Sequence, residues 1–264
     1  MSSPISEKLK VALLQCPLEW ENPAANRLRF DQWFRSIEAR QDLIVIPEMF
    51  STGFTMNAAG TAETMKGDTV KWLCEHSADK DAVICGSLII KERGKFYNRF
   101  IWAERGKIKW AYDKRHLFAL AGENEIFTKG RKLSSAIDFG PWKVMPRICY
   151  DLRFPVWNRN TQSHIQIYVA NWPAARIAAW DTLLKARAIE NQCYVIGVNR
   201  VGIDGNGHAY PGHSAVYSAL GESITPGANI DPEWIYAELE LSHVAQLRAK
   251  LPFALEADEF RVKL

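Results

Sequence analysis

The sequence predicts an α/β fold, and three observations carry that reading. Short continuous apolar runs rich in Val, Ile and Leu recur along the chain, the pattern of strands buried on both faces. Segments with apolar residues at helical spacing fall between them. The same alternation returns in the second half, with no fixed-period repeat and no low-complexity linker, so residues 1–264 read as one domain.

The elements follow in order. Residues 10–15 form the first buried strand, ending at Cys16-Pro17. Phe30, Trp33, Phe34 and Ile37 recur at i, i+3, i+4 and i+7, which is one apolar helix face. Residues 43–47 are the next strand, 63–77 a helix, and 82–90 a strand again. Residues 96–104 and 107–112, separated by Arg105-Gly106, read as a hairpin. A strand over 143–149 then runs into Arg153-Phe154-Pro155. Strands at 164–170 and 194–199 flank an amphipathic helix at 178–192, and strands at 214–219 and 234–239 follow. Pro146 lies inside the strand before Cys149 and has no N–H to donate, so that strand is expected to be irregular.

Composition narrows the function. The chain is 47% hydrophobic and 24% charged, ordinary for a globular protein. A chain of 264 residues can bury roughly 70–75% of its unfolded surface, so it needs neither metal nor disulfide to hold it together. Its 33 basic and 30 acidic residues are interleaved, for a net charge of +3, which gives no support to nucleic acid or an anionic membrane as partner. Five cysteines at irregular spacings, with no C-x-x-C, argue against a disulfide framework or structural zinc and for a reducing compartment. No signal peptide and no run of 18 apolar residues is visible, so the expected location is cytoplasmic.

Three strand ends carry candidate chemistry. In Pro146-Arg-Ile-Cys149-Tyr-Asp-Leu-Arg153 a strand ends and the chain turns with a cysteine at the turn, which suits a nucleophile beside an oxyanion hole. Val45-Ile-Pro-Glu48 sets a carboxylate after one apolar strand, and Tyr112-Asp-Lys114 sets a lysine after another. Each has a plainer reading: Cys149 as a small buried residue, Glu48 as a turn cap, Lys114 as a solvated charge. Together they form a chemical set. A thiol with an ordinary pKa of about 8.5 is only a few per cent thiolate at neutral pH and needs a base or a cation. Glu48 would take the thiol proton, and Lys114 with the Tyr150 N–H would hold the oxyanion. Neither metal nor cofactor enters this chemistry.

The strings Ile46-Pro-Glu48, Asp113-Lys114-Arg-His-Leu-Phe118 and Ile148-Cys149-Tyr-Asp-Leu-Arg153-Phe-Pro155 resemble, in order, the three catalytic motifs of the nitrilase (carbon–nitrogen hydrolase) superfamily. The resemblance runs from Val11 to the Gly212-His-Ser-Ala-Val216 strand. It implies a four-layer α-β-β-α sandwich, usually assembled as a homodimer, and a second glutamate after the lysine. Glu123 matches that position and Glu125 competes with it.

Asn171-Trp172-Pro173, Ala186-Arg-Ala-Ile-Glu-Asn-Gln192 and Asn199-Arg-Val-Gly202 resemble the omega-amidase branch, which hydrolyses the terminal amide of short 2-oxo acid amides such as 2-oxoglutaramate and 2-oxosuccinamate. Such a substrate needs a cation for its distal carboxylate. Arg153 is the first candidate and Arg176 the second, with Tyr150 and Trp172 as further pocket residues. Arg153 could equally brace the elbow, Trp172 could fill core, and Arg187 with Glu190 reads as a fold-bracing pair. Related scaffolds handle deaminated glutathione, carbamoyl amines, nitriles and aliphatic amides, so the acyl group stays open at this stage. Two other mechanisms compete: a Cys–His hydrolase using His116, His208 or His213, and a catalytically silent thiol sensor.

Overall fold

Alternation along the strands sets the architecture. In the first strand Val11 and Leu13 point to one face and Ala12 and Leu14 to the other, and all four are buried. A sheet apolar on both faces must be covered on both. The computed structural model describes residues 5–132, 136–160, 162–225 and 231–263.

The first half builds β1 (Lys8–Gln15), α1 (Pro23–Arg35), β2 (Leu43–Val45), α2 (Ala58–Thr61), α3 (Asp68–Asp79), β3 (Val83–Glu92), β4 (Lys95–Glu104), β5 (Lys107–Asp113) and α4 (Glu123–Ile126). The second builds β6 (Ile137–Phe139), β7 (Trp142–Ile148), α5 (Pro155–Asn158), β8 (Ile165–Ala170), α6 (Ile177–Asn191), β9 (Tyr194–Asn199), β10 (Val201–Ile203), β11 (Ala209–Pro211), β12 (Ala215–Tyr217), β13 (Glu233–Glu240) and α7 (Leu241–Lys250). One sheet has the order β13-β1-β2-β3-β4-β5, the other β12-β9-β8-β7-β6, and β10 and β11 pair as a separate hairpin. The central strands β1-β2-β3 and β7-β8-β9 are parallel, with antiparallel strands at the edges.

The two sheets face each other across one core. Val11, Leu13, Val45, Phe100 and Trp102 from the first meet Trp142, Val144, Ile167, Val169 and Ile196 from the second. On the outer face of the first sheet, Phe30, Phe34, Val70, Trp72 and Leu73 of α1 and α3 cover Ala12, Leu14, Ile44 and Ile84. On the outer face of the second, Trp180, Leu184 and Ala188 of α6 cover Tyr168, Ala170 and Val195. The result is the four-layer α-β-β-α sandwich.

The predicted hairpin at residues 96–112 is β4-β5, and Arg105 and Gly106 both have positive φ, as a tight two-residue turn demands. Arg93 and Gly94 repeat the device between β3 and β4. The helix expected at 63–77 begins instead at Asp68. Glu63 has its backbone committed to the sheet, its N–H donating to Ile89 and its carbonyl accepting from Lys91, while its carboxylate caps the Thr69 N–H at 2.8 Å. The strand around Pro146 stays regular. Pro146 sits in register with Ile167 on β8, and among the described residues β6 pairs with β7 only from Trp142 to Val144, short of Pro146. Among the described residues no helix is long and apolar enough to cross a membrane.

Close packing where β3 passes the end of β2 fixes Gly86. A Cβ there would lie 2.6 Å from Ile46 Cγ1 and about 3 Å from the Ile46 and Pro47 carbonyl oxygens. Gly86→Ala is expected to cost about 1–3 kcal/mol by overpacking, measured by urea denaturation. A loss below about 0.5 kcal/mol, the range of neutral surface changes, would mean that this approach is not tight.

Candidate active site

Glu48, Lys114 and Cys149 each leave the end of a different strand, and the two sheets bring those ends together. Glu48 follows β2, whose continuation stays tied to β3 through the Ile46 N–H and the Cys85 carbonyl. Lys114 follows β5 and extends its ladder, its N–H donating to the Asn98 carbonyl at 2.9 Å. Cys149 follows β7 with φ +43°, a left-handed conformation that costs a non-glycine residue about 1–3 kcal/mol and turns its side chain out of the strand line.

Packing holds that turn in place. The buried Asp151 carboxylate accepts from the Ile148 N–H, the His116 N–H and the Tyr112 hydroxyl at 3.2, 3.0 and 2.8 Å. Arg187 donates twice to the Leu152 carbonyl and pairs with Glu190 at 2.9 Å, the bracing pair expected from their spacing. Arg187, not Arg153, is thus the arginine that braces the elbow.

At the centre, Lys114 Nζ lies 2.9 Å from Glu48 Oε1 and 2.9 and 3.0 Å from the two oxygens of Glu123. Glu48, Glu123 and Asn98 expose none of their surface and Lys114 only 1%. Glu123, at the start of α4, is the glutamate that reaches the lysine; Glu125 is exposed on the same short helix. The Phe118 N–H fixes Glu123 Oε2 at 2.6 Å. Glu48 Oε2 accepts from the Asn171 N–H at 2.8 Å, and Asn98 Nδ2 donates to Glu48 Oε1 at 2.8 Å. Glu48 is near enough to Cys149 for its charge to act on the thiol.

Charge and burial set the proton positions. Burial would lower the Lys114 pKa, but the carboxylates of Glu123 and Glu48 outweigh it and hold the lysine protonated. Burial raises Glu123, with Lys114 opposing. Burial and the negative charge of Glu48 push the Cys149 thiol well above its ordinary value, against the pull of Lys114. The resting site therefore holds a thiol near a carboxylate and beside a fixed cation. It can transfer the thiol proton to Glu48 as sulfur attacks a carbonyl, and it can bind the resulting oxyanion.

Cys149 and Lys114 line a cavity of about 390 Å³, within the range of small-molecule sites. Phe54, Phe118, Tyr150 and Trp172 form apolar walls, and Arg153 and Arg176 reach the same space. Arg153 stacks over Trp172 at 5.0 Å and Arg176 over Phe118 at 4.8 Å. Neither has a carboxylate partner among the described residues, whereas Asp204, which also lines the cavity, is occupied by the Tyr210 hydroxyl and the N–H groups of Asn206 and His208. Trp172 does both things asked of it: it is buried and it lines the cavity. Of the three histidines weighed for a Cys–His pair, His116 binds Asp151 at 2.7 Å, His213 binds Asp181, and His208 sits exposed at the cavity rim.

Residues 10–249 match the Carbon-nitrogen hydrolase family model, and the chain belongs to that family. It is a hydrolase of carbon–nitrogen bonds other than peptide bonds. It is 44% identical to Omega-amidase YafV of Yersinia enterocolitica, over 96% of this chain and 98% of that one. It is 29% identical to the 2-oxoglutaramate amidase of Bacillus subtilis strain 168, over 93% and 96% of the two chains. A solved structure of XC1258 from Xanthomonas campestris, a CN-hydrolase superfamily protein with an arsenic adduct in its active site, superposes with a TM-score of 0.93. That pair shares 37% identity, over 97% of this chain and 99% of the other.

Ser87 and Asn98 join the site without being singled out by any motif in the sequence, and Asn171 of the Asn171-Trp172-Pro173 string joins it through its backbone N–H. The available signal is a polar residue inside an otherwise apolar strand: Asn98 within residues 96–102, and Ser87 between Cys85 and Leu88.

The electrostatics yield a two-sided expectation for Glu48→Gln. Removing the carboxylate that raises the thiol should move the pH profile of Cys149 alkylation by iodoacetamide to lower pH. Amide turnover should fall at least 100-fold, because the proton acceptor is gone. An unmoved alkylation profile would show that Glu48 does not act on the thiol.

Proposed function

We propose that the chain is an omega-amidase, hydrolysing the terminal amide of short 2-oxo acid amides such as 2-oxoglutaramate and 2-oxosuccinamate to the 2-oxo dicarboxylate and ammonia. The observation that carries this reading is the pair of arginines, Arg153 and Arg176, without acidic partners among the described residues, on the wall of a cavity that also exposes Cys149. Buried or half-buried cations seek anions. A substrate carboxylate held there would direct the opposite end of a short acid toward the sulfur. Arg153 is the first choice, being half-buried, on the elbow itself and stacked on Trp172; Arg176 is more exposed and forms the outer contact. The omega-amidase likeness over nearly the full chain supports the same substrate class.

In this mechanism Cys149 Sγ attacks the amide carbonyl while Glu48 takes the thiol proton. The oxyanion forms against Lys114 Nζ and the Tyr150 N–H. Glu48 returns the proton to the departing nitrogen, ammonia leaves, and a thioester remains on Cys149. Water, deprotonated by Glu48, then attacks the thioester, and the sulfur recovers its proton as the dicarboxylate leaves. Glu123 holds Lys114 in line throughout. The near-balanced charge supports a small molecule rather than nucleic acid as partner, and the expected setting is the cytoplasm. The family likeness supports a homodimer, for which the exposed Ile189 and Leu220, adjoining at Gly221, offer an apolar contact.

The test is ammonia release from a panel of 2-oxo acid amides, monocarboxylic amides and nitriles. The 2-oxo dicarboxylic monoamides should lead, and Cys149→Ala should abolish turnover while the protein stays folded. Arg153→Met should raise KM for 2-oxoglutaramate about 10- to 100-fold, the value of a hydrogen bond to a charged group, with a smaller change in kcat. Equal rates on uncharged amides, or an unchanged KM in Arg153→Met, would contradict the carboxylate contact.

A further inference from the structure

Two carboxylates share one lysine at this site, so one cation faces two anions in a buried volume. Lys114 satisfies part of each, but Glu48 Oε1 and Glu123 Oε1 both lie within reach of the same Nζ and therefore near each other. Like charges this close raise each other's cost of ionisation unless further donors are supplied. A second cation would balance the charge, but only by burying and desolvating another ion. A neutral donor aimed between the two oxygens would serve without adding charge.

Asn98 on β4 is such a donor. Its Nδ2 lies 2.8 Å from Glu48 Oε1 and 3.4 Å from Glu123 Oε1. An amide side chain could equally turn its oxygen to this spot, which would repel both carboxylates. Ser87, on the neighbouring strand β3, decides the orientation. Its hydroxyl accepts from the Met49 N–H at 2.9 Å, which leaves its proton for Asn98 Oδ1 at 2.8 Å. Asn98 Oδ1 must then face Ser87, and Nδ2 must face the glutamates. The chain of donors begins in the peptide after Glu48 itself, so the backbone that carries the carboxylate also sets the amide that holds it.

We propose that Asn98, oriented by Ser87, is a positioning residue that keeps Glu48 and Glu123 separately aimed around Lys114. Its effect reaches the substrate only through the two glutamates it touches; the cavity itself is lined by other side chains. The inference rests on the Glu48–Lys114–Cys149 chemistry proposed above but not on the choice of acyl group. The titratable groups facing the carboxylate pair are Lys114, Cys149 and, at longer range, Tyr210. Asn98 has no hydrogen bond to the side chain of any of the three among the described residues, so a change in the pH profile starts at the pair.

The test compares wild type with Asn98→Leu, Ser87→Ala and the double variant. All are assayed on whichever amide the wild-type chain turns over fastest, so failure of the 2-oxo acid reading leaves this comparison intact. Asn98→Leu should lower kcat about 10- to 100-fold, the range seen when hydrogen-bond partners of functional side chains are removed, with KM within about threefold. The acidic limb of its kcat/KM profile should move to higher pH, because a donor to the ionised carboxylates has been lost. Ser87→Ala should move both quantities the same way by less, and the double variant should be no worse than Asn98→Leu alone. A ¹³C-NMR titration of the glutamate carboxyl carbons reads the same shift without substrate, and thermal unfolding checks that each variant is folded. A folded Asn98→Leu with wild-type kcat and pH profile would overturn the proposal. So would a change confined to KM, independent effects of the two substitutions, or an unmoved carboxyl titration.

Discussion

One buried ammonium, Lys114 Nζ, held between Glu48 and Glu123, is the contact on which the rest of the site depends. A buried ion pair is weak evidence of stability, because desolvation consumes much of the Coulombic gain. Its value here is positional. With both glutamates drawn to one point, Glu48 is held near Cys149, and in the proposed mechanism the cation stands where charge would develop as sulfur attacks. Removing the lysine would leave two buried carboxylates without their shared cation.

The two sheets explain how such a cluster can be assembled. Each sheet end supplies a rigid backbone position rather than a mobile loop: Glu48 and Lys114 come from the first sheet and Cys149 from the second. The shared core of Val11, Phe100, Val144 and Val169 registers the sheets against each other, so packing far from the cavity sets distances inside it. The elbow is over-determined in the same spirit. Asp151, Arg187 and Asn158 all bond to the turn that holds Cys149 at positive φ, and they supply the restraint that a strained nucleophile needs.

Much of this is legible in the sequence, for identifiable reasons. The parallel strands are short and apolar on both faces, so periodicity finds them, and three charged or nucleophilic residues at strand ends mark the cluster by their positions alone. The helix boundary near Glu63 is not legible, because a bridge to Ile90 overrides local helical spacing. The β10-β11 hairpin escapes periodicity because its strands are three residues long and lack a continuous apolar pattern. The choice between Glu123 and Glu125 turns on one φ-positive glycine, Gly122, that starts a four-residue helix, and spacing alone does not encode that. Asn98 and Ser87 escape because each looks like an isolated polar residue in a strand. Their meaning emerges only when β3 and β4 are paired.

The most direct measurement is the pH dependence of folding stability in Lys114→Met. This lysine is the one cation shared by two buried carboxylates, so its loss should cost about 3–5 kcal/mol near pH 8. With the cation gone, the folded-state carboxylate pKa values rise, and stability should return as pH falls and the pair takes up protons. Urea denaturation of both proteins from pH 5 to 8 should therefore give a gap that narrows toward acid, in a variant with no amide turnover at any pH. A gap of constant size across that range, or a Lys114→Met protein as stable as wild type at pH 8, would contradict the claim that this one cation holds the site together.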